Sequence, residues 1–399
     1  MAASATGAST TVASATGEPG GGPLRLLVLQ PTPYCNLDCD YCYLTTREDR
    51  SRLSLEVFDV ALERVLSSPY IDGPFTLLWH AGEPLTVPPA FYDAATERLH
   101  AALKRHGHPP ELVQQSLQTN GITINDAWCA CLARNGIHVG VSVDGPAFLH
   151  DVHRRTRSGK PSHAATMRGI RALQRHQIPF NVIAVLTADA LEHADALYDF
   201  FTGNGIREVG FNMEETEGGN SHSSLDQPAL EARYTAFMQR FWQRVIAEPG
   251  RLRLREFDGI ASLACSDQRL AQTDMNHPFV IVNVDAHGNV SSFDPELLGV
   301  VTERFGSFAF GNVLSHSLEQ VAADPRFGQV QREMRAGVEA CRSSCAYFGL
   351  CGGGAGSNKY FEHGRFDTTE TQSCRYRIKL VADVVLAGLE QQLGLSEAA

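Results

Sequence analysis

The stretch Leu24-Arg25-Leu26-Leu27-Val28-Leu29-Gln30, followed by Pro31-Thr32-Pro33-Tyr34-Cys35-Asn36-Leu37-Asp38-Cys39-Asp40-Tyr41-Cys42, decides how the chain is read. The apolar run reads as a buried strand bounded by a proline-rich turn. The three cysteines then fall in the loop at the strand's C-terminal end, where α/β folds carry their ligand chemistry. Three thiolates within eight residues can wrap one small inorganic core. They leave a cubane iron–sulfur cluster one ligand short, and the open iron can bind a small molecule directly. A zinc ion completed by a nearby histidine is the alternative at this point.

Outward from this loop, β-rich runs alternate with amphipathic ones. Strands are expected at 75–79, 112–117, 137–143, 180–186 and 208–212, and helices at 54–67, 90–105, 126–134, 163–177, 191–204 and 228–247. Ser54 is the expected N-cap of the first helix. Six β-then-α units in succession imply a parallel sheet with right-handed crossovers, hence an α/β class and a partial (β/α)6 barrel. Beyond residue 250 the pattern changes to a hairpin around Asp285–Asn289, a glycine-rich cysteine cluster and a final helix near 376–393. The expected division is a tail over 1–22, a barrel over 23–250 and a smaller, loop-rich domain over 251–393.

The chain has 399 residues and a formal net charge of −11, which disfavours a phosphate-tracking nucleic-acid binder. No apolar run is long enough to span a membrane. Residues 1–22 have no apolar core of a secretory signal, so a cytoplasmic location and free thiols are expected. Ten cysteines are then metal ligands, catalytic groups or packing residues. Three lie at 35, 39 and 42, and four at 341, 345, 351 and 374. Cys129, Cys131 and Cys265 are read as packing residues.

The segment CNLDCDYCYL resembles the signature of the radical S-adenosylmethionine (SAM) superfamily. The resemblance implies that Cys35, Cys39 and Cys42 hold a [4Fe–4S] cluster whose fourth iron is chelated by SAM. Reductive cleavage of SAM then yields a 5′-deoxyadenosyl radical that abstracts hydrogen from unactivated carbon. Downstream segments extend the likeness: His80-Ala81-Gly82-Glu83-Pro84 resembles the GGEP motif, with alanine in place of its first glycine. Gln118-Thr119-Asn120-Gly121, Ser142-Val143-Asp144-Gly145-Pro146 and Arg154 follow at successive strand ends. By the family pattern Tyr41, Gly82, Glu83, Asn120, Ser142, Asp144 and Arg154 contact SAM, Glu83 toward its amino group and Arg154 toward its carboxylate. Glu215, after the sixth strand, would approach SAM and substrate, although an exposed acidic loop is an equal alternative.

The four later cysteines can close a site fully, and structural zinc is the plain reading. Beside such a barrel they resemble the SPASM extension, whose full pattern has seven cysteines and two auxiliary clusters. Phe293 and Ala355 stand where two of those cysteines would be. The resemblance therefore implies one auxiliary [4Fe–4S] cluster on Cys341, Cys345, Cys351 and Cys374. It also makes Asp294 a candidate general base, against the alternative of an Asp-Pro turn.

The segments WHAGEP, GVSVDGP and FNMEE are similar to those of the group that forms cyclophanes in ribosomally made precursor peptides, in its subfamily acting on glycine-rich-repeat precursors. That implies a carbon–carbon bond between an aromatic ring and a nearby β-carbon, a peptide partner, and a flavodoxin- or ferredoxin-type electron donor. Only 23 residues precede the first strand, too few for a leader-binding domain, so leader recognition is expected elsewhere. Two rivals remain: an anaerobic sulfatase maturase oxidising Cys or Ser to formylglycine, and a non-enzymatic iron–sulfur or zinc redox sensor.

Overall fold

The structure, a computed structural model, describes residues 23–395; the tail expected over 1–22 lies outside them. Strands β1 (Leu26–Leu29), β2 (Phe75–Trp79), β3 (Val113–Thr119), β4 (His138–Ser142), β5 (Phe180–Leu186) and β6 (Glu208–Met213) pair in sequence order, all parallel. Helices α1 (Leu55–Leu66), α2 (Pro89–Arg105) and α3 (Asp126–Arg134) connect the first four. The short α4 (Ala147–His153) and α5 (His163–Arg175) follow β4, α6 (Ala194–Gly203) follows β5, and α7 (Ala229–Ala247) follows β6. This is the expected α/β partial barrel.

Local chemistry explains the element boundaries. Ser54 accepts from the Val57 N–H at 3.1 Å, and Asn125 accepts from the Trp128 N–H at 3.0 Å. Each such cap is worth about 1 kcal/mol. The helix expected over 191–204 is instead a 3-10 turn (Ala188–Glu192) followed by α6, with His193 between them. The unanticipated α4 fits the turn after Pro146, where apolar Leu149 is buried.

The boundary expected at 250 does not coincide with a break in the sheet. A two-residue β7 (Arg253–Leu254) pairs with β6 and leads into α8 (Arg255–Ala264). On the opposite side β8 (Ile281–Val284) pairs in parallel with β1, and β9 (Asn289–Ser292) folds back on β8. With Gly311–Asn312 the result is one ten-stranded sheet in which β1 is an interior strand. Hydrophobic periodicity identifies strands but says nothing about such non-local pairing.

The C-terminal part is also less loop-rich than its sequence suggests. It contains the twenty-residue helix Pro325–Ser344, capped by Asp324 and started by Pro325, a legible start signal. The final helix begins with a wide π-turn (Arg375–Leu380) and continues as α9 (Val381–Leu393), which packs back on α7 and α8. Among the described residues no helix is long and apolar enough to cross a membrane.

That return depends on Gly388, since a Cβ there would lie 2.2 Å from the Trp242 indole nitrogen on α7. Helix propensity alone would favour Gly388→Ala by up to about 1 kcal/mol. Overpacking against a buried indole costs about 1–3 kcal/mol, so the clash should win. Thermal unfolding of Gly388→Ala is therefore expected at lower temperature than the parent; an equal or higher Tm would refute the close docking of α9.

Candidate active site

The loop after β1 is fastened by its own backbone and by two guanidinium groups. The Cys35 N–H donates to Arg47 O at 3.1 Å and the Asp38 N–H to Arg155 O at 2.7 Å. Arg47 Nη1 donates to Cys39 O and Arg157 Nη1 to Cys35 O, at 3.3 and 3.2 Å. Cys35, Cys39 and Cys42 stay partly accessible, and they lie close enough that their neighbours' charges disfavour the Cys35 and Cys39 thiolates. Burial pushes the Cys35 and Cys39 thiols up to about 12. Arg154 pulls the Cys39 thiol down without offsetting its burial, and a cationic iron core would add the charge that holds these groups as thiolates. No three Cys, His, Asp or Glu groups among the described residues converge tightly enough for a single ion. Three thiolates here suit a cubane with one iron left open.

The second strand end presses directly on this loop. Gly82 has φ +68°, and a Cβ there would stand 2.3 Å from Thr32 O and 2.7 Å from Pro33 O. Only glycine tolerates both the left-handed conformation and that approach. Ala81 shares the left-handed region at φ +67°. Glu83, 1% exposed, does not face the mouth with a free carboxylate. It accepts from Leu85 N at 2.9 Å, Thr119 Oγ1 at 2.6 Å and Asn120 N at 2.8 Å. Burial raises its pKa more than these donors lower it. Its role here is to tie the end of β2 to the end of β3. Oε1 takes two of these donors and Oε2 only one, which leaves Oε2 an acceptor site. Asn120 in turn donates to Asn36 Oδ1 at 2.7 Å and approaches Cys35 Sγ at 3.9 Å.

Asp144, 4% exposed, joins the next three pieces. It accepts from the Tyr41 hydroxyl in the cysteine loop, from Arg154 Nε at 2.8 Å and from Val185 N of β5 at 2.9 Å. Burial would raise its carboxyl, but Arg154, His150 and Tyr41 together hold it below the ordinary carboxylate range. Asp144 thus supports Tyr41 and Arg154 through Oδ2 and the end of β5 through Oδ1. The Asp144 N–H donates to His150 Nδ1 at 3.3 Å, which leaves the proton on Nε2 to meet Ser162 Oγ at 2.9 Å. Burial pushes His150 down to about 4, so this ring is neutral. Ser142 accepts from Gln118 at 2.9 Å and remains partly accessible at the end of β4.

Opposite the cysteine loop lies an acidic group that the sequence showed only in part. Glu215 pairs with Arg377 at 3.3 Å and accepts from Ser373 Oγ. Glu217 accepts from Asn358 at 2.8 Å, and the Glu217 segment is held to Tyr43 by the Gly219 N–H donating to Tyr43 O at 2.6 Å. Asp294, 1% exposed, accepts from the Ser357 N–H at 2.8 Å through Oδ2, while Oδ1 is buried without a partner. Burial first, then neighbouring carboxylates, push Asp294 up to about 7 and Glu296 to about 8. Glu215 therefore lies in a cluster with Asp294 and Arg377, and not on an exposed acidic loop. Glu217, Glu296 and Arg377 were missed because nothing local marks them; the fold alone assembles them.

The four later cysteines also come together. Cys341 lies in the last turn of the helix Pro325–Ser344, Cys345 caps it, and Cys351 and Cys374 are close enough to shift each other's pKa. Gly352, Gly353 and Gly354 all have positive φ (64°, 96° and 74°), so the backbone wraps the cysteines where side chains would not allow it. The positions of the two missing cysteines are filled by packing. Phe293 stacks on Phe327 with centroids 5.6 Å apart, and Ala355 is buried. Cys129 and Cys131 are buried as expected, but Cys265 is exposed at the end of α8 and packs nothing.

Gly82→Ala is expected to displace the cysteine loop. Iron bound per chain after anaerobic reconstitution should fall, and Tm with it, while the four-cysteine site keeps its share. Full iron and an unchanged Tm would refute the contact of Gly82 with Thr32 and Pro33.

Residues 29–201 match the radical SAM superfamily. The chain is 48% identical over 375 residues to an uncharacterized protein of Synechocystis, covering 94% of each chain. It is 25% identical to the cysteine-type anaerobic sulfatase-maturating enzyme of Clostridium perfringens, covering 83% of this chain and 88% of that one. In fold it resembles native anSMEcpe with bound AdoMet and Cp18Cys peptide, with a TM-score of 0.73 at 21% identity over 93% of this chain and 99% of that one. The cysteine loop, the strand-end motifs and these matches agree: the chain belongs to the radical SAM superfamily, enzymes that use a [4Fe–4S] cluster and S-adenosylmethionine.

Proposed function

We propose that this enzyme oxidises a residue of a ribosomally made peptide by joining an aromatic ring to a nearby side-chain β-carbon. When bound, the cluster on Cys35, Cys39 and Cys42 and its SAM supply a hydrogen-abstracting radical, and a second cluster on Cys341, Cys345, Cys351 and Cys374 supplies an electron sink. The observation that carries the finer reading is the Phe293–Phe327 stack, with Ala355 buried nearby. Apolar packing fills what would be ligand positions of a second auxiliary cluster, leaving one four-thiolate site. A peptide substrate is further supported by the likeness in fold to anSMEcpe, which binds the Cp18Cys peptide together with AdoMet.

The chain's own residues have distinct tasks in this reading. Gly82 brings backbone close to the cysteine loop, and Asn120 adds an amide donor beside Cys35. Ser142 and the free nitrogens of Arg154 address the ribose and carboxylate of SAM, while Asp144 and Tyr41 hold that guanidinium in place. Glu83 acts through the strand ends it ties together, and Glu215 with Arg377 lines the substrate side. Asp294 takes the proton that the ring loses on rearomatising, through its unpartnered Oδ1.

One specific observation favours a second reading, formylglycine formation: a sulfatase-maturating relative aligns over 83% of this chain. Co-expression with a candidate precursor peptide separates the two. A crosslink leaves the product two hydrogen atoms lighter per bond, unreactive toward hydrazides and joined across two residues in tandem mass spectra. A hydrazide-reactive product would establish formylglycine formation instead, and unmodified peptide would count against both.

If Asp294 is the base, it works only when deprotonated. Because its folded-state pKa is raised to about 7, turnover should climb as pH rises through neutrality. Glu296 titrates with it, so the profile reports the pair. Asp294→Asn should abolish product while SAM cleavage continues. A pH profile flat between about 6 and 8, or an active Asp294→Asn enzyme, would remove Asp294 from this role.

A further inference from the structure

Lys359 is a buried lysine whose charge nothing in the function described so far uses. It lies on the helix Gly356–His363, is 4% exposed, and its Nζ donates to Cys341 Sγ at 3.5 Å. Room for it is made by a glycine. At Gly337, one helical turn before Cys341, a Cβ would sit 3.0 Å from Lys359 Nζ and 2.2 Å from Phe366 O. Among the described residues no carboxylate lies within ion-pair distance of Lys359. The other lysine near these cysteines, Lys379, is paired with Glu370, so its charge is already answered.

An ammonium taken out of water without an anionic partner is costly. A neutral thiol answers it poorly, whereas a thiolate of an anionic cluster answers it well. The same contact acts on electron affinity. A fixed positive charge donating to a ligand sulfur stabilises whichever state carries more negative charge, which is the reduced one. We propose that Lys359 is a positioning residue of the four-cysteine site, where its ammonium, donating to Cys341 Sγ, raises the reduction potential of the cluster bound there. This rests on reading that site as an auxiliary iron–sulfur cluster. In the reaction proposed above the substrate radical gives up one electron to that site and one proton to Asp294, and no atom passes to the cluster. A higher potential at the site makes that electron transfer more favourable without altering the chemistry at the first cluster.

The test uses the full chain with Cys35, Cys39 and Cys42 all replaced by alanine, so that any iron bound belongs to the second site. Anaerobically reconstituted protein should hold about four irons, and EPR of the dithionite-reduced sample should show a cubane. Redox titration followed by EPR should give Lys359→Met a lower midpoint potential than the parent at equal iron content, with Lys359→Arg returning toward the parent. An unchanged potential in Lys359→Met at full iron would overturn the inference. So would loss of iron from both Lys359→Met and Lys359→Gln, which would assign the lysine to assembly and not to tuning. Zinc or no metal in the parent is a separate failure: it would remove the auxiliary cluster itself, and the role of Lys359 with it.

Discussion

The buried carboxylate of Asp144 is the interaction on which the mouth of the barrel depends. It gathers a hydroxyl from the cysteine loop, a guanidinium from beyond α4 and a backbone N–H from β5. Three segments far apart in sequence are thereby fixed against one another. Leaving either charge of such a buried pair alone costs on the order of 3–5 kcal/mol, so the arrangement is held as a unit. Neutral His150 and Ser162 extend it by hydrogen bonds to the backbone of the same two segments. Glu83 does the corresponding work two strands earlier. Radical chemistry needs this rigidity, because the reacting atoms must be held near one another and away from water.

The other side of the mouth obeys a different rule. Where Asp144 has its cation within hydrogen-bond reach, Asp294 and Glu296 share one distant guanidinium, Arg377, with Glu215 and Glu217. Burial and mutual repulsion then raise their pKa values into the range useful for proton transfer at neutral pH. One wall thus carries a buried ion pair and the other carboxyls whose pKa values are raised. The two meet because β8 pairs with β1 and α9 returns to α7, so the C-terminal segment shares the barrel's sheet.

Much of this was legible in sequence for identifiable reasons. The strand–helix alternation follows from side-chain periodicity, a local property, and several elements such as β2, α3 and β5 fall where expected. The cysteine spacings are covalent facts of the chain, and both sets converge in space. Less legible was what a motif residue does once folded. Glu83 and Asp144 read as ligand contacts because they sit in ligand-binding motifs, and the fold adds that both also tie neighbouring segments together. Cys265 read as packing and is exposed. Lys359 and Arg377 had no signal at all, because a single basic residue on a helix is ordinarily a solvated one.

The sequence by itself determined the α/β class, the order of the units and the two groups of cysteines, because all of these follow from near-neighbour patterns. Only the tertiary structure decided that β1 is an interior strand, that Phe293 stacks on Phe327, and that Lys359 faces Cys341. Each of those is a contact between segments distant along the chain. Such contacts are set by which surfaces can be buried together, and no local spacing encodes that.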